Sequence, residues 1–189
     1  MNNISILKGC QQKTDEAFKY EERAVILYRK TVAKKNNELD AFVDALWRYC
    51  MMYANTPQHA KTYELSEELI PLMAKMVEKN PEMIYKEPYV QLLGNQSYIC
   101  NFMKQYAKGE SYAKQALSMD ASQHWIYSNL AVNLLFQGKY TEAEQIYRQY
   151  KSELKDTFLN DFSKFVEAGV IPKKFEADVE KIKKMLNEE

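Results

Sequence analysis

The chain has 189 residues, enough for one domain with a hydrophobic core or for one extended repeat array. Its residues are 46% hydrophobic and 28% charged, a composition that excludes wholesale disorder. The 26 basic residues are balanced by 26 acidic ones, whereas a nucleic-acid binder normally carries a basic surface that neutralises phosphates, so we expect no nucleic-acid partner.

The sequence also predicts where the protein is found. No apolar run reaches the ~18 residues that a membrane-spanning helix needs, so we expect no membrane association. The first residues lack the basic segment and apolar run of a secretion signal. The 3 cysteines are an odd number at wide spacing and predict no disulfide framework. Together these features predict a cytoplasmic location.

Helical patterns fill the N-terminal part of the chain. After a predicted flexible N-terminus over residues 1–11, apolar residues at three- and four-residue steps predict a helix over 12–35 and another over 39–53. A longer helix is predicted from residue 58 to 80, where the following proline pushes the chain out of the α region. Pro71 falls inside this helix, but the apolar stripe keeps its phase across it, so we expect a kink and not a break.

From residue 88 onward the predicted helices come in pairs. Thr141 and Glu144 have the spacing of a capping box that would start the second helix of the second pair. Gly169 is predicted to end the next helix in the left-handed conformation. No Gly/Ser-rich linker divides the sequence, so we expect a single domain over 12–189. The predicted bounds are 88–103 and 106–119 for the first pair, 122–136 and 140–153 for the second, and 156–168 and 175–186 for the two helices that finish the chain.

The sequence resembles itself at a shift of 34 residues. Over residues 127–147 large and small side chains alternate at fixed offsets, and Ala131 and Ala143 are small where two helices must approach closely. Such a period indicates that one helix pair is the repeated unit. The identical residues related by the shift are Asn95 and Asn129, Phe102 and Phe136, Tyr106 and Tyr140, Glu110 and Glu144, and Gln115 and Gln149.

The period and the pattern Leu130-Ala131…Gly138-x-Tyr140…Ala143-x-x-x-Tyr147 resemble the tetratricopeptide-repeat family. The resemblance implies an all-α fold, an α-α superhelix in which antiparallel helix pairs stack into a right-handed solenoid closed by a C-terminal capping helix pair. It is clearest over residues 124–150. The implied parts are an N-terminal helix over 12–35, a degenerate repeat over 39–81, two repeats over 88–121 and 122–155, and the cap over 156–189.

The resemblance also implies a function. In this family the first helix of each pair lines a concave groove that holds partner peptides, so we expect a non-enzymatic protein-interaction module or scaffold. The two clear lining segments, 89–103 and 122–136, contain no Lys, Arg, Asp or Glu. Amides and aromatic rings suit a protein interface, whereas the missing cations argue against the clamp with which repeat co-chaperones grip acidic chaperone tails. The residues predicted to face the groove are Gln91, Asn95, Tyr98, Asn101, Trp125, Ser128, Asn129 and Val132.

An uncharged groove has a second interpretation, namely that it is covered. The cover would be the N-terminal helix, the C-terminal cap folding back, or a second copy of the chain in a self-associating scaffold. An enzymatic role is a further alternative, but His59 and His124 have no partner at metal-ligand spacing, and the isolated glycines form no phosphate-binding loop. We therefore expect no catalytic residue, no metal and no cofactor.

Overall fold

The structure is a computed structural model that describes residues 2–32, 39–54, 56–79 and 85–188, with side chains from Thr14 onward. Nine α-helices and no strand lie in this part of the chain, which confirms the all-α fold of helical-repeat type. Their bounds are α1 Asn2–Val32, α2 Leu39–Ala54, α3 His59–Lys79, α4 Lys86–Phe102, α5 Tyr106–Met119, α6 Ile126–Leu135, α7 Tyr140–Gln149, α8 Lys151–Glu167 and α9 Glu176–Asn187, with a short 3₁₀ turn at Lys173–Phe175 before α9.

Several predicted features of the helices are confirmed. Helix α5 has the predicted bounds, and α3 continues through Pro71 without interruption. Gly169 has a φ of +63°, the left-handed conformation predicted at the end of α8. None of the helices given above combines the length and the apolar character that crossing a membrane requires. The right-handed twist of the stack stays a prediction.

Three helix starts differ from the prediction by four residues or more, and one of them is that of α6, which begins at Ile126 and not at residue 122. Helix α1 begins at Asn2, so the segment predicted to be a flexible N-terminus is helical from that residue onward. Helix α8 was predicted to begin at residue 156, after a helix over 140–153. In the structure α7 ends at Gln149 and α8 begins at Lys151, with one residue between them. The sequence places no glycine or proline at this junction, and the pattern therefore extended α7 too far.

The predicted capping box is wrong. Helix α7 has Lys139 as its N-cap, without a side-chain hydrogen bond, so Thr141 already lies inside the helix. Gly138, at a φ of +83°, completes the preceding turn and lets the helix start early. Glu144 accepts hydrogen bonds from Arg148 at 2.6 and 3.0 Å, and its carboxylate therefore points along the helix and not back to its start.

The chain forms two compact units, Met1–Lys75 and Met76–Glu189, and the single domain over 12–189 stays a prediction. The boundary falls inside α3, where no Gly- or Ser-rich linker marks it. Composition alone therefore gave no sign of a division.

The first unit contains α1, α2 and most of α3. The Phe18 ring of α1 lies 5.0 Å from that of Tyr53 of α2, in an edge-on arrangement. The Arg29 guanidinium forms a two-point ion pair with a carboxylate of α3 (Glu68), with its Nε 2.7 Å from the acceptor oxygen. These contacts place three helices around one apolar core. The buried core residues include Val25, Phe42, Val43, Leu46, Leu65, Leu69 and Met73.

The second unit contains two helix pairs, α4 with α5 and α6 with α7, followed by α8 and α9. The last two helices bury most of their large apolar side chains, among them Phe158, Phe162, Ile182 and Leu186, whereas Val166 is exposed. Tyr147 of α7 packs between the rings of Phe158 and Phe162 of α8, with centroids 4.8 and 5.7 Å away. Lys151 at the start of α8 donates to the carbonyl of Met185 in α9 at 3.1 Å. The cap is therefore held by both apolar and polar contacts.

Candidate functional site

Buried amide side chains join α6 to α4. Asn129 donates to the carbonyl of Gly94 at 2.9 Å, and one turn later Asn133 donates to the carbonyl of Ser97 at 3.0 Å. Gln137, a further turn along, donates to the carbonyl of Asn133 at 2.9 Å. Since buried amides are costly to leave unpaired, Asn129 and Asn133 fix the first helices of the two pairs side by side. We call the surface that α4 and α6 form together the lining face.

Two glycines allow the helices around the lining face to approach closely. A Cβ atom on Gly94 of α4 would lie 2.4 Å from the Trp125 ring, and one on Gly109 of α5 would lie 2.1 Å from the side-chain oxygen of Asn133. Neither distance can accommodate an added carbon. Trp125 therefore rests directly on the α4 backbone, and Asn133 on that of α5.

Glu110 forms the polar anchor behind the lining face. Its carboxylate accepts hydrogen bonds from Lys114 of the same helix and from Lys139, each at 2.6 Å, and from Gln137 at 2.8 Å. Burial alone would raise the pKa of Glu110, but these three donors outweigh it and lower the pKa to about 2. The carboxylate thus stays ionised and ties α5 to the turn between α6 and α7.

Helix α8 lies over one end of the lining face. The Phe165 ring of α8 is 5.2 Å from Phe102 and 5.5 Å from Tyr98, both on α4, and 6.3 Å from Phe136, which follows α6. Phe165 is fully buried by these neighbours. Contacts between aromatic rings at such distances stabilise a packed arrangement, so this end of the lining face is closed by the chain's own cap.

A carboxylic acid is buried under the same helix. Asp161 of α8, one turn before Phe165, is only 6% exposed. Burial raises the pKa of Asp161 to about 6, while Lys164 and the Ser128 hydroxyl of α6 oppose this rise without cancelling it. Burial, with Asp161 as a second cause, also raises the pKa of Tyr147, whose hydroxyl has no hydrogen-bond partner in the described part of the chain. Asp161 is therefore a buried acid at the seam between α8 and α6 whose protonated form is favoured by burial.

An open cleft of about 640 Å³ lies at the end of α8. Its floor and walls are apolar, and its rim carries two lysines and two glutamates. Val166, in the wall, is 56% exposed, which is unusual for a large apolar side chain in this protein. A cleft of this kind suits an apolar side chain of a partner with charged residues on either side. The residues that line the cleft are Lys104, Phe165, Val166, Gly169, Ile171, Pro172, Lys173, Glu176, Val179 and Glu180.

The family model described as tetratricopeptide repeat matches residues 1–36 and 125–149. The second segment coincides with α6 and α7, the helix pair whose row of amides and small residues is set out above. The two matched segments support a tetratricopeptide-repeat protein. A search of curated proteins gives no significant match. Tetratricopeptide repeats generally mediate protein–protein interaction and typically have no catalytic role.

The eight predicted groove residues divide into two groups. Asn101, Ser128, Asn129 and Val132 are buried, with at most 4% of their surface exposed. Of these, Asn129 donates to the neighbouring helix and Asn101 donates to its own helix through the carbonyl of residue 97, so both amide nitrogens are used within the protein. The other four are partly exposed. They are Gln91, Asn95, Tyr98 and Trp125.

The cleft at the end of α8 was not predicted from the sequence. Lys104 comes from the turn after α4, and the other lining residues lie within 165–180, from the end of α8 to the start of α9. Lys104 has a φ of +56°, the only positive φ of a non-glycine residue in the described part of the chain. This backbone conformation is seen in the structure and is not indicated by the sequence. Periodicity cannot show that three separate helix ends meet.

Proposed function

We propose that this tetratricopeptide-repeat protein is a non-enzymatic interaction module that binds a segment of a partner protein at the open end of its lining face. The observation that carries the proposal is the division of that face. Through Phe165, helix α8 covers Tyr98 and Phe102 toward the C-terminal end of α4, whereas Gln91, Asn95 and Trp125 stay partly exposed toward the N-terminal ends of α4 and α6. The alternative of a groove covered by the cap thus applies to one half of the face and leaves the other half accessible.

The chemistry of the open half favours a particular class of partner. Gln91 and Asn95 offer amide donors and acceptors, and Trp125 presents part of an indole ring whose N–H is directed to Gln123 at 3.1 Å. No cation lies among them, so an uncharged segment with polar and apolar side chains fits better than an acidic tail. A role as a chaperone-tail co-chaperone therefore lacks support. The cytoplasmic location stays a prediction.

Introducing charge into the open half tests the proposal. We expect Gln91→Arg and Asn95→Arg to reduce capture of partners from an extract of the native cell by a factor of about 30, the equivalent of ~2 kcal/mol at an interface centre. Gln145→Arg, on the exposed surface of α7, is the matched control and should capture the wild-type set of proteins, as quantified by mass spectrometry. All three variants should melt within a few degrees of the wild type, because none of the three sites is buried.

The cleft at the end of α8 is a second candidate surface for the same function. The exposed Val166 supports it, and Val166→Asp would place a charge in its apolar wall. Ser163→Asp, also exposed on α8, is the control. A partner that is lost with Val166→Asp and kept with Gln91→Arg binds the cleft and not the lining face. A partner kept by all variants of both surfaces would contradict the proposed function.

A further inference from the structure

Helix α1 presents an apolar stripe to solvent. Tyr20 is 69% exposed, Leu27 60% and Ile26 43%, and these are three of the four large apolar side chains exposed in the described part of the chain. The opposite side of α1 is used within the first unit, where Phe18 contacts α2 and Val25 is buried. The outward stripe therefore has no role in the packing of α1 on its neighbours.

Charged residues frame this stripe in a symmetric order. At 3.6 residues per turn, the outward residues lie within about 60° of Arg23, which stands at the centre. The stripe ends in Glu16 toward the N-terminus and in Lys30 toward the C-terminus. Both residues are the same number of positions away from Arg23. The stripe consists of Glu16, Lys19, Tyr20, Arg23, Ile26, Leu27 and Lys30, all of which are exposed.

We propose that two copies of this chain pair through α1, with the two helices antiparallel and related by a two-fold axis at Arg23. This arrangement forms two equivalent pairs, and in each of them Glu16 of one copy lies opposite Lys30 of the other. It also places Tyr20 opposite Leu27 of the second copy. A two-fold interface requires one surface to be complementary to itself, and the order of charges and apolar residues on α1 meets that requirement.

A depression on the stripe has the shape that this pairing needs. A shallow pocket of about 200 Å³ is lined by Glu16, Lys19, Tyr20 and Arg23. Residues at these spacings form the hole of knobs-into-holes packing, into which one side chain of a facing helix inserts. In the antiparallel register Leu27 of the second copy faces this hole, so the apolar knob and the hole are supplied by the same stripe.

The proposal includes one unfavourable contact that makes it specific. Arg23 meets its own copy at the axis, and like charges repel. A single pair of helices also buries less surface than a standard protein interface, so the association is weak and depends on concentration and salt. Arg23→Gln should therefore tighten the dimer. If α1 instead bound a partner of different sequence, the same substitution would not be expected to tighten the complex.

Sedimentation equilibrium of the full chain at low salt, from roughly 5 to 200 µM as suits a weak interface, tests the pairing. We expect a monomer–dimer equilibrium that Glu16→Lys weakens by a factor of about five or more, because Lys would face Lys30. The double variant Glu16→Lys/Lys30→Glu should restore wild-type association, and Leu27→Gln should abolish it. Glu142→Lys, exposed on α7, controls for the change in net charge. A wild type that stays monomeric throughout, or a double variant no better than Glu16→Lys, would overturn the proposal.

Discussion

Replacing Asp161 by asparagine should stabilise the second unit at neutral and alkaline pH. The side chain is 6% exposed beneath α8, and its pKa rises from the ordinary value of 3.8 to about 6 because burial disfavours the charged form. A pKa that is higher in the folded state means that folding favours the protonated acid. The stabilisation by this proton is present below pH 3.8 and is lost as the pH rises through 6.

The size of the effect follows from the difference between the two pKa values. The shift is about 2 units, and each unit is worth 1.36 kcal/mol, so the ionised side chain costs about 3 kcal/mol of unfolding free energy. Asparagine has nearly the same shape and no charge. Asp161→Asn should therefore gain about 3 kcal/mol over the wild type at pH 8. At pH 4.5, where the folded wild type is already protonated, the gain should fall to about 1 kcal/mol.

Urea unfolding followed by indole fluorescence gives this measurement for the second unit alone. The chain has 2 tryptophans, so Trp47→Phe leaves Trp125 as the reporter. Asp156→Asn, exposed on the same helix, is the control and should change the free energy by less than about 0.5 kcal/mol. A gain that is the same at both pH values, or a loss at pH 8, would refute the reasoning, since it would mean that the carboxylate is well paired in the folded state.

Further predictions concern the contacts behind the lining face. Glu110→Gln should lower the free energy of unfolding by about 1–2 kcal/mol at pH 7. This loss should shrink as the pH falls through 4.5 toward 2, because the wild-type carboxylate then becomes protonated, and thermal melts over this pH range measure it. Gly109→Ala should lower stability by about 2 kcal/mol or more, because its Cβ would meet the Asn133 amide, and Asn133→Ala in the same chain should recover part of the loss in urea unfolding. Phe165→Ala should cost about 3–5 kcal/mol and speed proteolysis within α8.

The sequence was sufficient where the local pattern alone determines the structure. Helix α5 lies between a turn and a break in the apolar stripe, so its bounds followed from spacing. The continuity of α3 through Pro71 followed from the phase of the stripe, because an interruption would have moved the apolar residues to another face. The repeat of α6 and α7 followed from small residues at fixed offsets, which is a direct consequence of close helix packing.

The sequence was insufficient where the structure depends on distant contacts. Ser128 and Val132 have the spacing of groove residues, but whether α8 covers them depends on how Phe165 packs, which no local pattern encodes. The start of α8 was missed because Tyr150 alone separates it from α7 and has no turn preference. The division into two units has no linker to mark it, and the cleft beside Val166 is formed by three separate helix ends.

Site-specific photo-cross-linking in the native cell tests the central claim most directly, because it reports which surface a partner touches. A benzophenone amino acid would replace Gln91 on the open half of the lining face or, as control, Gln145 on the outer surface of α7. We expect a discrete cross-linked protein from position 91 that is absent from position 145 and disappears when Asn95→Arg is added. The same product from both positions, or products from position 145 alone, would contradict a binding site on the lining face.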